Sequence, residues 1–152
     1  AKVTCDDNRE FVGFVQDADG LAEVGGEQAY LTPEICDTLY QLAIKHRVQG
    51  FSRTARAIAV LAHESWHLRG ERDDGLANCY GFQSGVQIGQ NLGLSKSRAR
   101  AMMREQLATM TIAQFERAWG IDKQPDRVIQ RHLARTDLGA PIRGRRSLPS
   151  AG

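Results

Sequence analysis

The 152-residue chain is short of several features that would steer its reading in other directions. No apolar run approaches the roughly 20 residues that a membrane-spanning helix needs. The three cysteines, Cys5, Cys36 and Cys79, show no CxxC spacing, which argues against a cysteine-based zinc site. Aromatic residues make up only 7% of the chain. No stacking set and no DNA-binding motif accompanies the arginines, so nucleic acid ranks last among partners. There is no internal repeat and no signal-peptide pattern. Residue 1 is Ala rather than Met, so the sequence reads as a processed or trimmed chain whose missing leader says little about location.

What is present fits one soluble globular domain with a real core, at 41% hydrophobic and 25% charged residues. Charge is uneven. Residues 1–50 carry four Lys/Arg against nine Asp/Glu, and residues 51–152 carry sixteen against nine. Most of the later arginines are interleaved with apolar residues at helical spacing, which suits solvated helix faces. The exception is RGRR, Arg143 to Arg146, in a Gly-, Pro- and Ser-rich tail. Residues 1–136 are therefore expected to form a single domain and 137–152 a disordered basic tail. A Cys5–Cys36 disulfide would tie the N-terminal segment to the first helix. Together with the absent initiator Met, it would favour an extracytoplasmic or secreted location. Three buried free thiols fit the sequence equally well.

The pattern predicts a mainly α (α+β) fold, with a small N-terminal β hairpin or edge strand packed on a helical body. The β region is confined to residues 11–31, with FVGFV and QAYL strand-like and DADG and Gly25-Gly26 as turns. Thr32 as cap and Pro33 at the first helical position open a helix carrying Ile35, Leu39 and Leu42, and Gly50 ends that unit. A second helix spans about Ser52 to Arg69 before Gly70, with Ile58, Leu61, Ala62 and Ser65 inward. A third covers about Arg72 to Asn91. There Gly81, Gly85 and Gly89 leave one smooth side that lets another backbone approach. Ser95 caps a fourth helix with Ala99, Met103, Leu107 and Met110 inside. Shorter helices follow Thr111 and Pro125, the latter with His132 on its apolar stripe.

The chemistry is concentrated in HESWH, residues 63–67. His63 and His67 lie four apart, so both imidazoles leave one face of the helix and reach a common ion at about 2.0–2.1 Å. Glu64 lies roughly 100° around the helix. It is badly placed to ligate beside them but well placed to take a proton from a water on the ion's open side. A histidine pair on an ordinary helix would carry the same five letters, so a third ligand is required. A reversal at Gly70, where glycine tolerates φ > 0, would bring Asp73 or Asp74 back toward the histidines.

HESWH followed by DGLANCYG resembles the zincin-type metallopeptidases, in particular a minimal gluzincin, over residues 57–83. The resemblance implies Zn2+ held by His63, His67 and Asp74, with Asn78 hydrogen-bonded to a ligating histidine. Two features depart from that pattern: the acidic ligand is Asp rather than Glu, and the gap to it is short. The same letters are similar to HExxHxxGxxD of snapalysin-type and other metzincin-like peptidases, which would make Asp73 the ligand. No Met-turn follows, and helical side-chain direction favours Asp74.

The resemblance further implies attack of an activated water on a peptide bond, with Glu64 as general base and a peptide or protein as substrate. QAYL, Gln28 to Leu31, is the strand it would place beside that substrate. Glu71 lies in the turn and is read as solvent-facing. Tyr80, Tyr30, His46 and His132 are the candidates for stabilising an oxyanion, with core packing the plainer role for Tyr80 and His132. The rival readings are a non-catalytic domain whose zinc staples two helices, and a basic interaction module.

Overall fold

A computed structural model describes residues 1–12 and 18–109. Three short strands, β1 (Lys2–Cys5), β2 (Gly20–Ala22) and β3 (Gln28–Leu31), precede four helices, α1 (Pro33–Ala43), α2 (Phe51–Leu68), α3 (Asp74–Asn91) and α4 (Lys96–Thr109). The fold is mainly α with a small N-terminal sheet, as the sequence pattern implies. The helices expected after Thr111 and Pro125, Met110 and His132, the domain limit at residue 136 and the basic tail lie outside the described residues.

The sheet differs from expectation in two ways. Strand β1 lies upstream of the expected β region and pairs parallel with β3, from Lys2 opposite Gln28 to Cys5 opposite Leu31. Its four residues are mostly exposed, so they offer no apolar alternation to read. Strand β2 pairs antiparallel on the other side, Gly20 opposite Leu31, so the order is β1-β3-β2. QAYL is thus the central strand, not an edge, and both of its flanks are occupied. The start of FVGFV is not a strand either. The Asp6 carboxylate accepts the backbone N–H groups of Glu10, Phe11 and Val12 at 3.0, 2.9 and 2.8 Å, which curls the chain where it would otherwise extend. Those bonds hold the Asp6 carboxyl below its ordinary pKa against the opposing effect of burial. The rest of FVGFV falls outside the described residues.

Helix boundaries follow the local chemistry closely. Pro33 occupies the first turn of α1 after an extended Thr32, although the Thr32 side chain makes no capping bond. Ser95 Oγ accepts the Arg98 N–H at 3.2 Å and caps α4. Helix α3 begins two residues later than expected because Asp73 is its cap, its carboxylate accepting the Leu76 N–H at 2.8 Å.

The main core lies among α2, α3 and α4, where Ile58, Phe82, Val86, Met102, Met103 and Leu107 interlock. A smaller cluster of Leu31, Ile35 and Ala57 seats the sheet and α1 against α2. Cys5 and Cys36 form a disulfide with Cα atoms 5.8 Å apart, joining the end of β1 to the first turn of α1.

The glycine face of α3 sets how close the helices come. A methyl group at Gly81 would lie 3.3 Å from the His63 backbone nitrogen, tighter than ordinary contact. At Gly85 it would meet the Met103 sulfur, and at Gly89 the Ala99 Cβ at 2.9 Å. Helix α3 therefore rests directly on the α2 backbone at His63.

Gly81→Val should force the two helices apart, lowering the thermal midpoint and costing about 1–3 kcal/mol in denaturant titration. Breaking the 31-residue disulfide link by Cys36→Ser should cost about 3–4 kcal/mol on the chain-entropy account, read in the same titration.

Candidate metal centre

Helix α2 ends in a Schellman motif that builds one side of the site. The N–H of Glu71 bonds the Trp66 carbonyl at 3.0 Å, and the N–H of Gly70 bonds the His67 carbonyl at 2.8 Å. Gly70 has φ +95°, the left-handed geometry this turn needs and only glycine adopts without strain. The reversal brings the Asp73 cap and then Asp74 back over the last turn of α2. It also turns the Glu71 carbonyl toward His67, whose Nδ1 lies 2.7 Å away.

Three ligand-type atoms converge at this turn. His63 Nε2 and His67 Nε2 lie 2.8 Å apart, and Asp74 Oδ1 is 3.2 Å from the second and 3.9 Å from the first. A circle through those three atoms has a radius of about 2.0 Å, comparable with a zinc–nitrogen bond, so the group could hold a metal ion. Asp73 is committed elsewhere, since its carboxylate closes the α3 N-terminus. Of the two acidic alternatives, Asp74 is the one the fold brings to the imidazoles.

The remaining ring nitrogens fix what the convergent ones present. The Glu71 carbonyl can only accept, so His67 Nδ1 carries a hydrogen and donates it. Asn78 Oδ1 lies 2.8 Å from His63 Nδ1 and holds that ring in the same tautomer. The two Nε2 atoms are thereby turned into the same small volume, next to a carboxylate oxygen. A cation there, a shared proton or a metal ion, would be attracted by all three atoms. His63 is held below the ordinary imidazole pKa range, first by burial and then by the neighbouring His67, with Asn78 and Asp74 opposing. That keeps it in the neutral form a metal requires.

Glu64 faces the same groove from the next helical position, and it is only 6% exposed. Gly20 of β2 packs on it so closely that a Cβ there would fall 2.8 Å from Oε1. Burial raises the Glu64 carboxyl to a pKa of about 7; the nearby Asp74 adds to this and His67 opposes it. The site is open on its other side, where the Asp74 side chain is 79% exposed.

The groove encloses about 1380 Å³ and runs from His63, Glu64, Asp74 and Asn78 past Ala59 and Val60 to Arg56 and Arg53. Tyr30, Tyr80 and His46 do not line it. Tyr80 packs on Trp66 with ring centroids 4.8 Å apart, and Tyr30 stacks on Phe11 at 4.1 Å. The Glu71 side chain bonds the N–H groups of Arg72 and Asp73, so its backbone carbonyl is the part that serves the site. Sequence reasoning missed that carbonyl and Gly20. The first was legible in principle, because a Schellman turn at Gly70 fixes where the next carbonyl points. Nothing distinguished Gly20 from an ordinary turn glycine.

Among known proteins, no family model, curated sequence or solved structure matches the chain.

An acid with a pKa of about 7 when folded and 4.5 when unfolded contributes stability that is complete below pH 4.5 and lost as pH rises toward 7. In metal-free protein, Glu64→Gln should remove that dependence and raise stability at pH 8 by about 3 kcal/mol relative to the unsubstituted chain. Denaturant titrations of both proteins at pH 5 and pH 8 read the difference directly.

Proposed function

We propose that this domain is a zinc-dependent peptidase whose metal is held by His63, His67 and Asp74, with Glu64 as general base. The observation that carries the reading is the set of three convergent ligand atoms, the two imidazoles held from behind by Asn78 and the Glu71 carbonyl, beside a buried carboxyl. The donor set of two imidazoles and one carboxylate is that of catalytic zinc sites, which leave one coordination position free. The exposed Asp74 and the adjoining groove support an open position rather than the closed shell of a structural staple.

Zinc bound there would supply a Lewis acid able to lower a water's pKa toward about 7. Glu64, buried on the groove side, would accept a proton from an attacking water and deliver it to the leaving amine. Asn78 and the Glu71 carbonyl keep the two imidazoles oriented throughout.

Strand β2, not β3, is the strand beside Glu64. Its side away from β3 carries no strand among the described residues and supports an extended substrate lying along the groove. The Cys5–Cys36 disulfide supports work in an oxidising compartment.

Metal analysis of purified protein should return about one zinc per chain, and His67→Ala or Asp74→Ala should abolish it. Asp73→Ala should retain the metal and lose only the helix cap, about 1 kcal/mol. Glu64→Gln should keep the zinc while peptide hydrolysis falls by roughly 10²–10⁴-fold. Full activity in that variant would exclude Glu64 as the base.

A further inference from the structure

The groove that meets the candidate metal site has a second polar end, where the Arg56 guanidinium lines it. Arg56 lies seven residues before His63 on α2, about 20° short of two full turns, so both side chains leave the same face. About 10 Å of helix separates them, with Ala59 and Val60 forming an apolar floor between. Three residues of extended peptide cover that span.

Arg56 is not loose. Its Nε donates to Asp19 Oδ2 at 2.5 Å, and the Asp19 carbonyl in turn accepts the Thr32 N–H at 3.0 Å, anchoring the residue just before β2. That bond uses only the inner edge of the guanidinium. The two Nη groups have no partner among the described residues, and the side chain is 59% exposed. A guanidinium oriented from behind and open in front is the arrangement that takes a carboxylate through a two-pronged contact.

The charges lining this end balance, Arg9 with Glu34, Arg56 with Asp19, and Arg53 against Asp37, so the attraction for an anion lies in the open guanidinium edge and not in net charge. Glu34 is engaged by Arg9 at 2.6 Å, and Asp37 accepts from the side-chain amides of Gln41 and Gln49 at 3.4 and 3.2 Å. Arg53, one turn before Arg56, lines the same stretch and has no partner among the described residues.

We propose that the outer edge of Arg56, held by Asp19, binds a carboxylate of the peptide substrate within about three residues of the scissile bond, so that the groove selects acidic peptides. The proposal rests on the peptidase reading for what the substrate is, but the anion contact does not need the metal. Asp19 acts as the positioning residue.

The test uses two tetrapeptides, Ala-Ala-Ala-Glu and Ala-Ala-Ala-Gln, both amidated at the C-terminus so that the side chain alone differs. Their binding to zinc-free and zinc-loaded Glu64→Gln protein is followed by NMR, with the Arg56 side-chain Nε–H signal as reporter. The Glu peptide should bind roughly fivefold more tightly, the range of a half-exposed ion pair, and shift that signal. Adding Arg56→Gln should make the peptides equivalent. Arg56→Lys should keep a smaller preference, and Asp19→Asn should weaken it without removing it. A preference unaltered by Arg56→Gln, or equal binding of both peptides, overturns the proposal. If the preference is present but the unsubstituted enzyme with zinc cleaves neither peptide nor longer acidic substrates, the peptidase reading fails and the anion contact stands.

Discussion

The seating of Gly81 against the α2 backbone at His63 is the contact on which the rest depends. Two helices normally run 8–10 Å apart, a distance set by the side chains between them. With no side chain at Gly81, α3 lies on α2 within the turn that carries the imidazoles. That closeness lets Asp74, a short acid, span to His67, and lets Asn78 reach His63. A longer acid would relax the requirement; this chain meets it with glycine. The intrinsic cost of glycine within a helix, about 1 kcal/mol each relative to alanine, is offset by the core that α3 shares with α2 and α4.

The His63, His67 and Asp74 cluster is assembled at a cost to the fold. A carboxyl with 6% exposure beside an adjoining aspartate raises the free energy of the folded chain near neutral pH. The molecule tolerates this because its apolar packing lies elsewhere, on the far side of α2 around Ile58, Met102 and Met103. Stability and site are thus separated across a single helix: the face bearing Ala55, Ile58 and Ala62 holds the core, and the face bearing Arg56, Val60, His63 and Glu64 meets the groove.

Much of this was legible in the residues. Four helices with their approximate limits, the reversal at Gly70, the smooth face of α3 and the His63, His67 and Asp74 grouping all follow from periodicity, glycine placement and helical side-chain direction. The alternative of Asp73 was decided by capping, a short-range competition for one N–H that letters alone do not settle. The sheet was read less well. Strand β1 is too short and exposed to announce itself, and the turn after it depends on a buried carboxylate gathering three N–H groups. Pairing partners in a sheet are non-local, so nothing within QAYL itself announces that β1 lies beside it.

The His67 carbonyl receives two N–H groups, one from Gly70 within the helix end and one from Gly25 at the tip of the β2–β3 turn, both at 2.8 Å. The hairpin is therefore fastened at its tip to α2, the helix that carries His63 and His67, while the disulfide fastens the sheet to α1 at its other end. A wall pinned at both extremities cannot swing like a jaw. Whatever enters the groove meets a preset width, and accommodation is left to the rotamers of its lining side chains.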